Sequence, residues 1–352
     1  MSDGVDVAVV GGGVVGLAVA WRARARGLTV RVLDRGELGG GTSRVAAGML
    51  APVAEADPGE RPLLALGLQS ARRWPAFAAE LEDVTGLEVG YRSCGTLLVA
   101  RDRDEAEALE RELELRGRLG VRAQRVLPSA ARRLEPALAP ALRLALDLPG
   151  DHAVDPRALL AALAEACRRA GVQLQPHTDV PDPRALDAGR VVLAAGPWSG
   201  PPVRPVKGQA LALRDPSGPG LVDRVLRWDG GYLVPRGDGR YYLGATMEEQ
   251  GFDTAVTALG VYELLRDAGE LVPGVLELEL TETLCGLRPG TPDNAPLIGP
   301  DPDDPRLVWA TGHFRGGVLL APATADLVTA ELCGEAPEHA FAPGRFAAEV
   351  RA

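Results

Sequence analysis

The stretch Asp6-Val-Ala-Val-Val-Gly-Gly-Gly-Val-Val-Gly16 decides the fold of this chain. It begins as a short valine-rich run, which is typical of a strand buried inside a parallel sheet, and continues through closely spaced glycines into a helical pattern. We predict this helix over residues 14–26, with Gly27 as its C-terminal stop. A second apolar strand is predicted over residues 29–33 and ends at Asp34. The opening of the chain therefore predicts a complete β-α-β unit.

The glycines have the spacing Gly11-x-Gly13-x-x-Gly16, which is the dinucleotide-binding fingerprint when it joins a strand to a helix. Gly11 allows the tight turn, Gly13 lets the backbone approach a pyrophosphate, and Gly16 lets the helix pack on the sheet. The helix N-terminus offers free N–H groups to the phosphates. Asp34 lies 18 residues after Gly16, where an acid receives ribose hydroxyls. A bound dinucleotide is predicted, with NAD and FAD as alternatives.

The rest of the chain predicts an α/β fold in which a second domain interrupts the first. The 352 residues suggest roughly two domains. A helix is predicted over residues 63–85, divided near Pro75. Antiparallel strands are predicted in the middle of the chain, at residues 207–213, 225–235 and 240–246. A buried strand at residues 307–310 and a helix at residues 318–333 then return to the opening pattern.

This pattern gives a discontinuous Rossmann-like nucleotide-binding domain, predicted to consist of residues 1–85, 150–204 and 296–352. The remaining segments, residues 86–149 and 205–295, are predicted to form a substrate domain built on a mixed, largely antiparallel sheet with helices.

Charge and cysteine content narrow the range of functions. The formal net charge is −10, which argues against nucleic acid as a partner because phosphates require clustered Lys and Arg. The cysteines show no C-x-x-C spacing, so we expect no metal site and a reducing, cytoplasmic setting. We find neither a signal peptide nor a run of apolar residues long enough for a membrane helix, so no membrane association is expected.

Small residues follow Asp34, in Gly39-Gly-Gly-Thr-Ser43 and Ala46-Ala-Gly-Met-Leu-Ala-Pro52, where the chain can pass close to a flat ring. Residues 11–52 resemble the N-terminus of the D-amino-acid oxidase family, and within it they are most similar to the glycine oxidases of the thiamine pathway. The resemblance continues in order through Pro205-Val-Lys-Gly-Gln209, Tyr232-Leu-Val-Pro-Arg236, Gly244-Ala-Thr-Met247, Gly286-Leu-Arg-Pro-Gly-Thr-Pro-Asp-Asn-Ala-Pro-Leu-Ile-Gly299 and Gly312-His-Phe-Arg-Gly-Gly317.

The resemblance implies FAD as the cofactor and decides between the two dinucleotides. It places Gly11, Gly13, Val14, Val15 and Gly16 at the pyrophosphate, Asp34 and Arg35 at the adenosine ribose, and Val180 at the adenine. It places Thr42, Ser43, Ala46, Ala47, Gly48, Met49, Ala195, Gly196, His313, Phe314, Arg315, Gly316, Gly317, Val318 and Leu319 along the rest of the cofactor. In related sarcosine oxidases a cysteine anchors the flavin, but that register falls on Gly286 here and not on Cys285, so non-covalent FAD is expected.

The resemblance also implies a substrate site. Arg288 is expected to hold the substrate carboxylate, because a guanidinium fork matches a carboxylate in two places. Arg315 is expected to help close the site, and Tyr232 to bond the same carboxylate. Met49 and Met247 are expected to form apolar wall near the reacting carbon. No side chain is expected to act as a catalytic acid or base.

The implied reaction is FAD-dependent oxidative deamination of glycine, and of sarcosine or small D-amino acids, by hydride transfer to flavin N5. O2 would reoxidise the flavin to give H2O2, and the imine would hydrolyse to glyoxylate and ammonia or serve thiazole synthesis for thiamine. The alternatives are a D-amino-acid or sarcosine oxidase or dehydrogenase, a flavin-binding module without chemistry, and an enzyme of modified tRNA. By resemblance, a homo-oligomer, often a tetramer, is expected.

Overall fold

The structure is a computed structural model that describes residues 4–57 and 59–346. Its strands are β1 (Val5–Val10), β2 (Val30–Leu33), β3 (Met49–Leu50), β4 (Thr96–Ala100), β5 (Gln124–Val126), β6 (Leu144–Leu148), β7 (His152–Ala153), β8 (Gln173–Gln175), β9 (Ala188–Leu193), β10 (Arg204–Arg214), β11 (Val225–Trp228), β12 (Gly231–Pro235), β13 (Arg240–Gly244), β14 (Glu279–Gly290), β15 (Leu297–Pro300) and β16 (Leu307–Thr311). Its α-helices are α1 (Val14–Ala25), α2 (Arg61–Thr85), α3 (Arg103–Arg118), α4 (Pro128–Leu134), α5 (Pro156–Arg169), α6 (Ala258–Leu271) and α7 (Gly317–Leu332).

The first sheet has the strand order β15-β16-β9-β1-β2-β8. Its neighbouring strands are parallel except for the β15–β16 pair at one edge. Strand β1 lies in the interior of the sheet, and helices α1, α5 and α7 contribute buried apolar residues to the same core as β1. The chain leaves β1 for β2 on one side and reaches β9 on the other, so the carboxyl end of β1 is a topological switch point. Open α/β sheets bind ligands at this point.

The second sheet has the order β14-β10-β13-β12-β11-β4-β6-β5. Its strand pairs are antiparallel except for the parallel pair β11–β4. The predicted α/β class, with a Rossmann-like sheet beside a mixed, largely antiparallel one, is therefore confirmed. The longest ladder joins β10 to β14 and runs from the Arg204–Gly290 pair to the Arg214–Glu279 pair. Residues of both strands line the cavity of the candidate site.

The sheets divide along the chain much as the sequence suggests. Strands of the first sheet come from segments within residues 1–85, 150–204 and 296–352, and most strands of the second come from 86–149 and 205–295. Sheet membership does not by itself divide a chain into domains, so these boundaries stay a prediction.

Two local predictions differ from the structure. The helix expected to be divided near Pro75 is continuous as α2. Trp74, Phe77 and Leu81 on one face of α2 are fully packed, and this burial outweighs the hydrogen bond that proline removes. The strand expected over residues 225–235 is a hairpin, β11 and β12, because Gly230 has a φ of +87° and turns the chain.

Candidate active site

A cavity of about 880 Å³ lies where the carboxyl ends of the first sheet face the second sheet. Its walls include Gly11 and Asp34 from the β1-α1-β2 unit and Tyr232 and Arg288 from β12 and β14. This volume is near the upper end of the range for ligand pockets, about 300–1,000 Å³. The cavity is large enough to hold a dinucleotide and a small substrate together.

The turn after β1 is compact because glycine is needed there. Gly11 has a φ of +108°, and a Cβ on it would lie 2.4 Å from the carbonyl oxygen of Ala194 at the end of β9. A Cβ on Gly16 would lie 1.9 Å from the carbonyl oxygen of Gly11. Gly11 and Gly13 line the cavity, whereas Gly16 is not among the described residues that do. The missing side chain of Gly16 lets α1 pack against the turn, and its expected contact with the pyrophosphate stays a prediction.

The loop after β2 closes on this turn through its hydroxyl groups. The N–H of Val14, at the start of α1, donates to Ser43 Oγ over 3.1 Å. Thr42 Oγ1 donates to the carbonyl oxygen of Leu287 over 2.7 Å, which attaches the loop to β14. Both residues line the cavity, as expected. Their hydroxyls thus connect the two halves of the site.

Asp34 accepts backbone hydrogen bonds at the mouth of the glycine turn. Its carboxylate oxygens accept from the N–H of Gly12 over 2.7 Å and from the N–H of Gly36 over 2.8 Å. Each carboxylate oxygen has a second lone pair, so the side chain can also accept from ribose hydroxyls. Beside it, the guanidinium carbon of Arg35 lies 3.8 Å from the ring centroid of Trp198, in a cation–π contact on the cavity wall.

The start of α7 forms the opposite wall. Residues 313–319 all line the cavity, and the helix begins at Gly317. His313 is buried, its Nε2 lies 2.9 Å from Thr324 Oγ1, and burial lowers its pKa to about 3. The imidazole is therefore neutral at physiological pH. Because the first N–H groups of a helix lack intrahelical partners, this wall favours negative charge in the cavity.

Arg288 extends from β14 into the cavity, and a glycine on the neighbouring strand leaves space for its guanidinium. A Cβ on Gly208, in the neighbouring strand β10, would lie 2.4 Å from Arg288 Nη1. Arg288 Nη1 donates to the carbonyl oxygens of Thr246 and Lys207, over 3.1 and 3.4 Å. Among the ion pairs of residues 4–57 and 59–346, none includes Arg288. Its charge is oriented by carbonyl dipoles and remains available to an anion.

Tyr232 lies beside Arg288, and a glycine on the adjacent strand leaves space for its ring. A Cβ on Gly244 would lie 2.9 Å from the Tyr232 ring. Burial raises the pKa of Tyr232, and Arg288 opposes this increase, so the phenol stays protonated and can donate a hydrogen bond. Tyr242, which sequence reasoning missed, stacks on Tyr232 with ring centroids 6.3 Å apart and donates to the carbonyl oxygen of Val45.

Glu55 is a cavity residue that the sequence motifs did not reveal. Its Oε1 lies 3.1 Å from Arg227 Nε, and its Oε2 lies 3.0 Å from Arg315 Nε. Burial alone would raise the pKa of this carboxyl, but Arg227, Arg315, Arg288 and Arg116 together hold the pKa below its usual value. The sequence did offer one signal for Glu55, because it is an acidic residue that directly follows the run of small residues 46–54.

The two methionines expected at the substrate fall in different places. Met49 lines the cavity. Met247, three residues beyond the end of β13, is 65% exposed and is not among the described lining residues, so its placement does not support the expected role, which stays a prediction. Gly286 and Arg288 on β14 line the cavity, whereas Cys285 does not. Because successive side chains of a strand point to opposite faces, Cys285 faces the other side of the sheet.

The remaining expected site residues all line this one cavity. They are Gly13, Val14, Val15, Arg35, Ala46, Ala47, Gly48, Val180, Ala195, Gly196, Phe314, Arg315, Gly316, Gly317, Val318 and Leu319. Their individual roles stay predictions. Within residues 4–57 and 59–346, no group of three or more His, Cys, Asp and Glu side chains is arranged to hold a metal ion. No helix in the described part of the chain is long and apolar enough to cross a bilayer.

A glycine turn at a switch point, an acid after β2, and a helix start facing them define a dinucleotide-dependent enzyme. The sequence profile of the family described as "FAD dependent oxidoreductase" (DAO) matches residues 6–331. The chain belongs to this family, and its cofactor is FAD. The glycine cradle fits the pyrophosphate of FAD, since a Cβ at Gly11 would clash with Ala194 and the turn could not form.

Relatives with known names cover nearly all of the chain. It is 36% identical to the "Glycine oxidase" of Geobacillus kaustophilus, over 97% of this chain and 96% of that protein. It is 36% identical to the "Bifunctional protein ThiO/ThiG" of Synechocystis, over 97% of this chain but only 54% of that protein. The crystal structure of the Geobacillus kaustophilus glycine oxidase superposes with a TM-score of 0.91, at 35% identity and 97% coverage of both chains.

Proposed function

We propose that this enzyme oxidatively deaminates glycine, and with it sarcosine or small D-amino acids. The proposal rests mainly on the placement of Arg288 in the cavity. Its guanidinium faces the cavity beside the FAD cradle, donates to the carbonyl oxygens of Thr246 and Lys207, and interacts with Tyr232. A guanidinium next to a phenolic donor fits a substrate carboxylate.

The chain's own contribution is to bind and orient the substrate. Arg288 binds the carboxylate through its fork, and the hydroxyl of Tyr232 donates to the same group. Met49 provides an apolar surface beside them. When bound, FAD would supply the hydride acceptor, its N5 atom. Glycine would lose a hydride and a proton to become an imine, which water would hydrolyse to glyoxylate and ammonia, and O2 would take up the two electrons to form H2O2. No residue is assigned a proton-transfer role, because the pKa values of His313 and Glu55 are both lowered and each group is therefore a weak base.

The similarity to glycine oxidases supports glycine as the substrate. The similarity to one half of a ThiO/ThiG protein supports a role in thiazole synthesis for thiamine, where the glycine imine would be consumed. A D-amino-acid or sarcosine oxidase, or a dehydrogenase with another electron acceptor, is the competing assignment within the same family.

A substrate panel tests the proposal directly. Purified holoenzyme is incubated with glycine, sarcosine, D-alanine and L-alanine, and peroxide release is measured beside anaerobic bleaching of the flavin absorbance. We expect bleaching and peroxide with glycine and none with L-alanine. Bleaching without peroxide would indicate a dehydrogenase. Bleaching by D-alanine but not by glycine would overturn the assignment to glycine.

We further propose that FAD is held non-covalently, because Cys285 faces away from the cavity. Acid precipitation should release all of the flavin into the supernatant. A homo-oligomer in the cytoplasm remains a prediction, and sedimentation of the purified holoenzyme tests the first part of it.

A further inference from the structure

The short segment that follows β3 carries Glu55 into the cavity, and buried charged groups hold its backbone. Asp151, in the turn between β6 and β7, has an exposed fraction of 0%. Its Oδ1 accepts from the N–H of Val53 over 3.2 Å, and its Oδ2 accepts from the N–H of Ala54 over 2.6 Å. Both carboxylate oxygens are thus used on two successive peptide groups.

Arg116 holds the same two peptide groups from their carbonyl side. It belongs to α3 and is 1% exposed. Its Nε donates to the carbonyl oxygen of Val53 over 3.1 Å, and its Nη2 donates to that of Ala54 over 3.4 Å. Buried charges are costly unless their hydrogen bonds are complete, so a geometry that satisfies both ions also fixes the backbone between them.

Glu55 directly follows the two peptide groups that Asp151 and Arg116 hold. Arg227 joins the two sites, because its Nη1 donates to the Ala54 carbonyl oxygen over 2.6 Å and its Nε lies 3.1 Å from Glu55 Oε1. We propose that Asp151 and Arg116 are positioning residues, which hold the Val53 and Ala54 peptide groups and thereby fix Glu55 where it faces the substrate's amino group.

The charges in the cavity give Glu55 this role. Arg288 and Arg315 line the cavity, and Arg227 is paired with Glu55. This positive charge attracts a carboxylate but repels the ammonium of an amino acid. Glu55 supplies the opposite charge and lies near enough to Tyr232 and Arg288 to influence the pKa of Tyr232. A displaced Glu55 therefore weakens recognition of the amino group more than recognition of the carboxylate.

The test rests on the proposed function and separates the two ligand groups. In Asp151→Asn the amide keeps the size of the side chain but presents a donor to one of the two N–H groups. We expect KM for glycine to rise about tenfold, as for the loss of one charge-assisted hydrogen bond, with kcat changed less than about twofold. Binding of acetate, which lacks the amino group and is read by the flavin absorbance, should be unchanged, and so should FAD content.

Asp301→Asn is the matched control. Asp301 is also buried and also accepts backbone N–H groups, from Asp303 and Asp304, but it is not among the described residues that line the cavity. Its glycine KM should equal that of the wild type. A wild-type enzyme that does not oxidise glycine would refute the proposed function, and this would be visible before any variant is compared.

A double-mutant cycle decides whether Asp151 acts through Glu55. Glu55→Gln alone should raise the glycine KM, and adding Asp151→Asn to it should have little further effect, because the group being positioned is already altered. Independent, multiplicative effects would overturn the proposal, as would an equal loss of acetate and glycine binding. If Asp151→Asn does not fold, Arg116→Lys takes its place in the same cycle with the same expected outcomes.

Discussion

Arg315 Nε lies 3.0 Å from Glu55 Oε2, so the arginine next to the start of α7 already has a carboxylate partner inside the protein. Arg288, on the other side of the cavity, is oriented by the carbonyl oxygens of Thr246 and Lys207 instead. The two arginines therefore differ in what they offer a ligand. If the proposed substrate site is correct, a substrate carboxylate would find Arg288 outside any ion pair of the described residues and would compete with Glu55 for Arg315.

Arg288→Leu should remove turnover and leave the cofactor in place. Loss of one partner of a buried charge pair costs about 2–5 kcal/mol, so kcat/KM for glycine should fall by about 30-fold or more. The measurement is peroxide release from holoenzyme of known flavin content. Arg103→Leu is the control, since Arg103 forms an exposed pair with Glu107 on α3, and its kinetics should match the wild type. Unchanged glycine kinetics in Arg288→Leu would contradict the assignment.

Arg315→Leu should be milder than Arg288→Leu. Its side chain is 39% exposed and its charge is shared with Glu55, and such solvent-screened pairs contribute about 0–1 kcal/mol. We expect kcat/KM for glycine to fall by less than about tenfold. Steady-state kinetics of the two variants, measured side by side, check the ranking. A larger loss in Arg315→Leu than in Arg288→Leu would show that their roles are reversed.

The cofactor end of the site could be predicted because local sequence determines it. The residues from Gly11 to Val15 form a continuous turn, and Thr42 to Met49 form one loop, so their positions follow from short-range geometry. Gly16 was predicted to allow helix packing, and the structure supports that role, since a Cβ there would lie 1.9 Å from the carbonyl oxygen of Gly11. Its contact with the cofactor stays a prediction.

The substrate end depends on long-range packing that no local pattern reveals. Glu55 meets Arg227 only because β11 lies where its side chains face the segment after β3. Gly208 matters only because Arg288, which pairs with Val206 in the β10–β14 ladder, extends its guanidinium to within 2.4 Å of where a Cβ on Gly208 would lie. The position of Met247 could not be predicted for the same reason, since a residue three positions beyond the end of β13 is not fixed by the geometry of the strand.

Gly16→Ala should destabilise the protein and reduce its FAD content. The added methyl would lie 1.9 Å from the carbonyl oxygen of Gly11, so α1 must move away from the glycine turn, at a cost of about 1–3 kcal/mol. Thermal unfolding and the ratio of flavin to protein absorbance measure both effects. Gly117→Ala in α3 is the control. A Cβ there meets nothing within 4 Å, and helix propensity favours alanine by about 1 kcal/mol, so it should be neutral or stabilising. Equal behaviour of the two variants would contradict the packing role.

Asp151 should make stability depend on pH in a direction opposite to that of most carboxylates. Burial raises its pKa from 3.8 to about 7, against the opposing N–H groups of Ala54 and Val53 and the charge of Arg116, while Glu55 adds to the increase. The folded state therefore binds the proton more tightly than the unfolded state. The contribution of this group to the free energy of unfolding is largest below pH 4 and declines as the pH rises to about 7, by up to about 1.4 kcal/mol per pH unit.

Asp151→Asn removes this titration, so the stability advantage of the wild type over the variant should shrink between about pH 4 and pH 7. Urea unfolding midpoints of the two holoenzymes, measured at intervals of one pH unit, test this. The Asp301→Asn variant serves again for comparison, because the pKa of Asp301 is lowered by Trp309 and backbone donors that outweigh burial, and its advantage should not shrink over that range. Parallel pH curves for wild type and Asp151→Asn would show that Asp151 does not titrate in this window and would remove the electrostatic basis of the effect.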